Sequence, residues 1–357
     1  MNIKRLVFLL LILPMFADAQ FHITGRVTDI LTHKPIDNVN VFLSNALAGA
    51  KTNSDGNFDI SNARSGHYDL VISIVGYVTY HQEVAVNADI NNLKIELEQK
   101  NTTLNEVKIG PDVDWDRNYR MFKIQFLGNS ENAGSVNILN PEVLSIHYDQ
   151  QKRELTASSY DFLIIENKAL GYRIRYLLNT LTATYTNFGG VSLYYEGSPS
   201  FEDMPGNPAQ LKKWRQKRLA AYTGSQMHFL RSVIYDRVTQ ERFTVRRLIR
   251  KPNPDYPEKS STKYNDKLVS TPLTWKDYIR FTDQKGQYAL AFTDCLYVTY
   301  RRGFGNTDAS TITFLEPYAF FDNNGVIINP RSNVVEGSWS SDRMANMLPV
   351  DYDPAVN

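Results

Sequence analysis

Gly25-Arg-Val27-Thr-Asp29, Pro35-Ile36-Asp-Asn-Val39-Asn-Val41, Thr52-Asn-Ser-Asp55-Gly56-Asn-Phe58 and Tyr68-Asp-Leu70-Val-Ile72-Ser73-Ile-Val75-Gly76-Tyr77 follow one another in the first third of the chain. Read residue by residue, they are short strands separated by turns. His22–Thr28 alternates and then meets Asp29. Asn38–Leu43 alternates strictly, which sets Val39, Val41 and Leu43 on one face. Ala50–Ile60 reads as a hairpin, with Asp55-Gly56 supplying the positive φ angles of a tight turn. Tyr68–Val75 is the most apolar run and is expected to be a central strand, broken by Gly76. Val78–Val86 and Leu93–Glu98 complete the set. Short strands at this spacing, with no helical pattern between them, predict a Greek-key β-sandwich.

The order and spacing of these four runs resemble the carboxypeptidase regulatory-like family of Bacteroidetes envelope proteins. The resemblance covers about 80 residues. It implies a transthyretin-like sandwich, an accessory module in the metallocarboxypeptidases that also precedes many TonB-dependent receptors. The residues that carry it are structural. Gly56 makes a turn, Phe58 and Tyr77 are packing rings, and Pro35 opens a strand. The family name therefore brings no peptidase activity with it.

Outward from this module, the N-terminus has the three-part layout of a secretory leader. Lys4 and Arg5 precede the apolar run Leu6–Leu13, and Ala17-Asp-Ala19 forms a small-x-small cleavage site before Gln20. The run is shorter than the roughly 20 residues that span a bilayer. Residues 1–19 are thus expected to be a signal peptide, 20–100 the sandwich, 101–111 a linker and 112–357 a second domain. Leu104–Ile109 resembles the segment that joins this module to the receptor plug. Removing the leader turns 39 basic and 38 acidic residues into 37 of each. Such a balance gives no general attraction to nucleic acid or anionic membrane, and with export no nucleic-acid partner is expected. No transmembrane helix is expected in the mature chain, and the location is expected to be the periplasm, the outer membrane or the cell surface.

In the second part, Trp115, Tyr119, Phe122 and Phe126 fall at helical spacing and Gly128 stops the helix. Alternation returns from Val143 to Tyr195. Asn207-Pro208 caps a basic helix, Leu211–Tyr222, and Gly224-Ser225 recaps a second one from Gln226 to Asp236. Strands are expected at Phe243–Ile249, Tyr288–Tyr300 and Ser310–Phe314, and Lys251–Lys267 reads as an exposed Pro-rich loop. The fold class is therefore mainly β: a transthyretin-like Greek-key sandwich followed by a larger β-rich α+β domain with a helical insertion. Several stretches of this part, Ile138-Leu-Asn-Pro141 and Leu348-Pro349 among them, resemble uncharacterised Bacteroidetes proteins that carry the same N-terminal module.

The search for chemistry finds little. The six histidines, His22, His33, His67, His81, His147 and His228, show no helical zinc spacing. Asp112-x-Asp114-x-Asp116 has calcium-loop spacing but holds Arg117 where glycine is needed and Lys123 where a bidentate glutamate is needed. Ser260-Ser-Thr-Lys263 matches SxxK inside a loop. Cys295, the single cysteine, has no local histidine and reads as a buried thiol. No catalytic residue, cofactor or metal site is assigned. The basic helix carries Lys212, Lys213, Arg215, Lys217 and Arg218, a candidate contact for an acidic glycan, lipopolysaccharide or an acidic protein surface, set against a solvated face whose stems cover a sheet. The leading expectation is an exported, non-catalytic envelope protein with a binding or assembly role, its partner an envelope protein or glycan. Alternatives are a hydrolase with a dispersed carboxylate pair, and an outer-membrane barrel or an accessory to TonB-dependent uptake.

Overall fold

Alternating apolar residues seek one buried face, and in the first hundred residues they find it in a two-sheet sandwich. The structure is a computed structural model and describes residues 20–100, 114–303 and 305–355. The expected leader, the expected linker and Asp112 lie outside the described residues. The sandwich strands are β1 (Phe21–Asp29), β2 (Asn40–Leu43), β3 (Gly49–Lys51), β4 (Asn57–Ala63), β5 (Gly66–Ser73), β6 (Tyr80–Val86) and β7 (Ile90–Leu97). One sheet has the order β4-β1-β7 and the other β3-β2-β5-β6. Ile23, Val27, Val41, Leu43, Ile60, Leu70 and Ile72 are fully buried between them. β5, the most apolar strand, is interior to its sheet, and β7 runs parallel to β1.

The expected hairpin over Ala50–Ile60 needs correction. Its turn exists, but β3 belongs to one sheet and β4 to the other. The Asn53 side chain closes the turn. Its Oδ1 accepts the amides of Asp55 and Asn57 at 3.0 and 2.9 Å, and the two arms leave the turn for different sheets. Gly56 alone takes the left-handed conformation, at φ 75°, and a Cβ there would lie 2.4 Å from the Val27 carbonyl.

In the second part, α1 (Trp115–Leu127) presents the expected ring stripe. Trp115, Tyr119, Phe122 and Phe126 stack in sequence, with centroids 4.8, 6.4 and 5.0 Å apart. Phe122 and Phe126 are buried against a six-stranded sheet. That sheet is made of β8 (Val136–Ile138), β9 (Leu144–Asp149), β10 (Glu154–Ser159), β11 (Leu163–Asn167), β12 (Tyr172–Tyr185) and β13 (Val191–Asp203). β12 is its axis: β13 pairs along one edge, and β11 and then β10 pair along the other. The helices α2 (Pro208–Tyr222) and α3 (Gln226–Ile234) follow, with the Asn207 and Ser225 caps expected.

The remaining strands divide in two. β14 (Phe243–Pro252), β15 (Tyr264–Pro272), β18 (Cys295–Arg301), β19 (Thr307–Phe314) and β21 (Asn333–Gly337) form one sheet, in the order β15-β14-β18-β19-β21. After the short α4 (Trp275–Tyr278), β16 (Ile279–Phe281), β17 (Gln287–Leu290) and β20 (Ala319–Asp322) form another, in the order β16-β17-β20. The expected single strand Tyr288–Tyr300 is thus two strands in two sheets. The chain crosses between them at Ala291–Asp294, where Asp294 pairs with Arg247 at 2.6 Å. The ends of the expected loop Lys251–Lys267 belong to β14 and β15, leaving residues 253–263 as the loop. The described strands make five open sheets, a different architecture from the single closed sheet of a membrane barrel. No described helix is long and apolar enough to cross a membrane.

The sandwich is packed against this second body along the β2–β3 turn. Asn45 N–H donates to the Pro199 carbonyl at 2.8 Å, Phe201 N–H to Ala46, and Val350 N–H back to Asn45 at 2.7 Å. Asp351 accepts the Leu47 amide at 3.1 Å, and Arg175 donates to Asn40 Oδ1 at 2.7 Å. Arg231 on α3 donates to the carbonyls of Asn324, Val350 and Tyr352, each at 2.8 Å, which holds the returning C-terminal segment in place. On the outer face of β2 and β5, Phe42 and Val71 are buried against Phe162, whose ring meets that of Phe42 edge-on at 5.9 Å.

Candidate functional site

The register of β5 and β6 places Asp69 opposite Glu83 and His67 opposite Ala85. These alternate residues point away from the sandwich core. Further along the same face, Val71 is covered by Phe162; here the face stays open and meets the β16-β17-β20 sheet. The gap between them is a cleft of about 380 Å³. His67, Asp69 and Glu83 form one wall, Gln284, Gln287 and Asp322 the other, and Val326, Ile327, Ile328 and Val350 add aliphatic lining.

Two of the three carboxylates of the cleft, Asp69 and Asp322, have partners. Asp69 accepts from His81 Nδ1 at 2.7 Å, and this hydrogen bond raises the pKa of His81 above its ordinary value. Asp322 accepts the amides of Asn324 and Val326, each at 3.0 Å, and the Asn324 amide group at 2.9 Å. Burial nevertheless pushes the Asp322 carboxyl upward, since the hydrogen bonds offset the lost hydration only in part. The same loop reaches the sandwich: Asn324 Nδ2 donates to Tyr68 Oη at 3.4 Å and Asn323 Nδ2 to the Ser65 carbonyl at 2.9 Å. Asp322 therefore organises the loop that joins the two walls. A second cavity, of about 320 Å³, shares Asn45, Val326, Ile327 and Val350 with the cleft and includes Trp339, Met347 and Leu348.

The hairpin β16–β17 also shapes the outside. Phe281 is 66% exposed. It meets Trp275 edge-on at 5.9 Å and Tyr288 at 6.1 Å, and Tyr288 packs on Phe321 at 5.5 Å. An exposed phenylalanine flanked by two partly buried rings makes an aromatic rim on the hairpin whose Gln287 faces the cleft.

The five cations singled out in the sequence separate. Trp214, Arg218 and Tyr222 form the buried face of α2. Trp214 packs on Gly171, where φ is 73° and a Cβ would lie 2.2 Å from the indole. Arg218 is 7% exposed and is not an external contact. Its guanidinium donates to the Leu170 and Gly171 carbonyls and to Asp203 Oδ1, at 2.7, 3.1 and 2.7 Å, and lies 3.8 Å from the Tyr172 ring centroid. The expectation for this residue is thereby corrected: carbonyls of the turn between β11 and β12 draw it inward, as buried guanidinium groups require partners. Lys217 pairs with Glu131 at 3.6 Å. Lys212, Lys213 and Arg215 face solvent. None of the five lines the cleft.

Other sequence candidates find ordinary places. Cys295 is buried, with its Sγ 3.3 Å from Thr313 Oγ1. Ser260 Oγ accepts the Thr262 amide in a turn. Asp114 pairs with Arg117. Among the described residues no group of three or more His, Cys, Asp or Glu is placed to hold a metal ion. Sequence reading did not find the cleft residues, because they are brought together from β5, β6, β17 and β20. The only local signal was Asp322-Asn-Asn-Gly325, a turn sequence.

No curated protein matches the chain. Among solved structures, a type II cohesin–X-dockerin complex from Acetivibrio cellulolyticus matches at 21% identity with a TM-score of 0.21, over 22% of this chain and 58% of that one. The chain thus spans under two thirds of that relative. A DUF3823 family protein from Bacteroides ovatus matches at 10% identity, over 53% and 83% of the two chains, with a TM-score of 0.19. BcpA, the major pilin subunit of Bacillus cereus, matches at 11%, over 85% and 95%, with a TM-score of 0.19. At these scores none carries an argument about this chain. The CarboxypepD_reg-like domain family matches residues 23–109, and the N-terminal sandwich is a carboxypeptidase regulatory-like domain.

Proposed function

We propose that the chain is an exported, non-catalytic binding protein of the cell envelope, and that a neutral, polyhydroxylated ligand such as a glycan occupies the cleft between the sandwich and the β16-β17-β20 sheet. One observation carries this reading: the cleft takes one wall from each body, and two of its three carboxylates, Asp69 and Asp322, are tied to His81 and to the Asn324 loop. Asp322, held by three donors, makes a poor proton shuttle but a firm acceptor, and Asp69 is engaged by His81. Amides, carboxylates and an imidazole over aliphatic lining match alternating hydroxyls and C–H faces.

A hydrolase is the second reading, favoured by the placement of Asp69 and Glu83 opposite each other at the cleft. Both are tested on the chain from Gln20 onward, by calorimetric titration with a panel of soluble glycans and a reducing-end assay on the same samples. The expected result is binding without cleavage, with the Glu83→Ala/Gln287→Ala pair weakening it by roughly tenfold or more at unchanged melting temperature. Cleavage that disappears in Glu83→Gln would establish the hydrolase instead. Binding of no glycan in the panel would overturn the proposal.

A further inference from the structure

The second cavity differs from the cleft in what its polar groups do. In the cleft, the side chains of Glu83, Gln284 and Gln287 make no hydrogen bond among the described residues. In the cavity most polar side chains are engaged. Asn346 Oδ1 accepts from Ser130 Oγ and Asn132 Nδ2 at 3.0 and 2.9 Å, and its Nδ2 donates to Asp342 at 2.8 Å. Arg343 donates to the Ser340 carbonyl and to the carbonyl and Oε1 of Gln125. Ser225 Oγ accepts the His228 amide at 3.2 Å, and the Trp339 indole N–H donates to the Gly224 carbonyl at 2.7 Å. Only the side chains of Gln226 and Tyr195 are without a strong bond of this kind among the described residues. What remains on the wall is hydrocarbon and sulfur, from Trp339, Met227, Met347, Leu348, Ile327 and Ala221.

The cleft and the cavity meet at Asn45, Val326, Ile327 and Val350, which line both. Resting on the reading of the cleft as a glycan site, we infer that the ligand is a neutral amphiphile, with a sugar head in the cleft and an alkyl or acyl chain in the cavity. A glycan alone would leave the apolar wall of the cavity against water. A chain leaving the cleft along Val326 and Val350 is already on that wall, and burial of its methylenes is favourable. The space fits such a chain. A cavity of about 150 Å³ takes one benzene ring, so about 320 Å³ takes roughly twice as much, a chain of about eight to ten carbons. Met227 and Met347 are unbranched and adapt to a chain without a fixed shape. Charge excludes an anionic head. Asp69, Glu83 and Asp322 line the cleft with no Lys or Arg among them, and Asp342 stands at the cavity beside an Arg343 that is turned to Gln125.

The test is calorimetric titration of the chain from Gln20 onward with methyl, hexyl and octyl β-glucosides and the matching β-maltosides, each below its micelle concentration. Octanol serves as the chain without a head. Affinity should rise roughly threefold for each added methylene, and octanol should bind about tenfold or more weakly than octyl maltoside. Ala221→Phe, which fills the cavity, should remove the dependence on chain length and leave the binding of soluble glycans unchanged. Glu83→Ala/Gln287→Ala should weaken every sugar-bearing ligand. An octyl chain brominated at its far end should quench tryptophan emission in the parent, and Trp339→Phe should lose that quenching. This second readout decides the matter if the filled variant does not fold. Glycan binding with no gain from chain length would overturn the inference and leave the cleft reading standing. Binding of neither glycans nor alkyl glycosides would overturn both. Octanol as tight as octyl maltoside, or quenching that Trp339→Phe retains, would separate the chain from the head or from the cavity and overturn the inference as well.

Discussion

The two ends of the sandwich close themselves in different ways. At the end where β1 turns toward Pro35, a single side chain does the work. Asp29 is buried, and its carboxylate accepts the amides of Leu31 and Thr32 and the hydroxyl of Thr32 on one oxygen, and Tyr77 Oη and Gln99 Nε2 on the other. The Thr32 amide foremost holds this carboxyl well below the usual carboxylate range. Every donor comes from the sandwich. At the other end, the turn Ser44–Ala48 donates hydrogen bonds to Pro199 and Asp351 and accepts them from Phe201 and Val350, and Phe42 and Val71 lie beneath Phe162. The first end is complete without the rest of the chain. The second is complete only with it. A regulatory-like module here is a wall of a larger body, and the cleft exists because the docked end fixes the angle between the walls.

The sharpest way to break this contrast is at Phe42 and Phe162. Alanine at either position should cost about 3–5 kcal/mol, and the double variant should fall short of additivity by about 0.5–1.5 kcal/mol. Urea unfolding of the two single variants and the double variant measures this. Full additivity would mean that the two bodies do not share the contact. Asp351→Ala is the next largest. It leaves the part-buried Leu47 amide without its acceptor and should cost about 1–3 kcal/mol, whereas Asp351→Asn keeps an acceptor and should retain most of the stability. An Ala variant no weaker than the Asn variant would show that the docked turn does not need that bond.

The smallest effect concerns pH, and its sign differs between the ends. Asp29 has a folded pKa below the ordinary 3.8, so its contribution is present above about that pH and is lost as pH falls below it. Asp351 and Asp322 are raised above 3.8, in both cases chiefly by burial. Each folded carboxyl takes its proton before the unfolded one does. Stability therefore rises as pH falls through their folded pKa values toward 3.8, and above those values the buried charge weighs against folding. Melting temperature followed from neutral pH downward should show Asp29→Asn losing the decline below about pH 4 and Asp351→Asn losing the preceding gain. Identical profiles for the two variants would erase the distinction between the ends.

The sandwich strands, the α1 ring stripe and the two helix caps were legible because each depends on residues within a few positions. Alternation over seven or eight residues decides a strand, and Asn207-Pro208 decides a helix start wherever it sits. The Ala50–Ile60 hairpin failed for a related reason. Asp55-Gly56 specifies a reversal of direction but not which sheet receives each arm, and the Asn53 side chain closes the turn either way. Tyr288–Tyr300 failed similarly, since an apolar run does not show where a chain leaves one sheet for another. The basic helix shows the limit for sites. Its five cations look alike in sequence, yet one is drawn into the protein by the Leu170 and Gly171 carbonyls in the turn between β11 and β12, and another is paired.

By itself, then, the order of residues determined that residues 20–100 would form a β-sandwich, that the body after it would be β-rich, and that a capped basic helix would interrupt it. Those outcomes follow from short-range periodicity and from backbone limits at glycine and proline, which act before distant parts meet. The tertiary structure alone decided that Arg218 would be buried, that Asp29 and Asp351 would shift in opposite directions, and that His67, Asp69, Glu83, Gln287 and Asp322 would share one cleft. Desolvation and hydrogen bonding set those properties, and both depend on which surfaces come together rather than on which residues are neighbours in the chain.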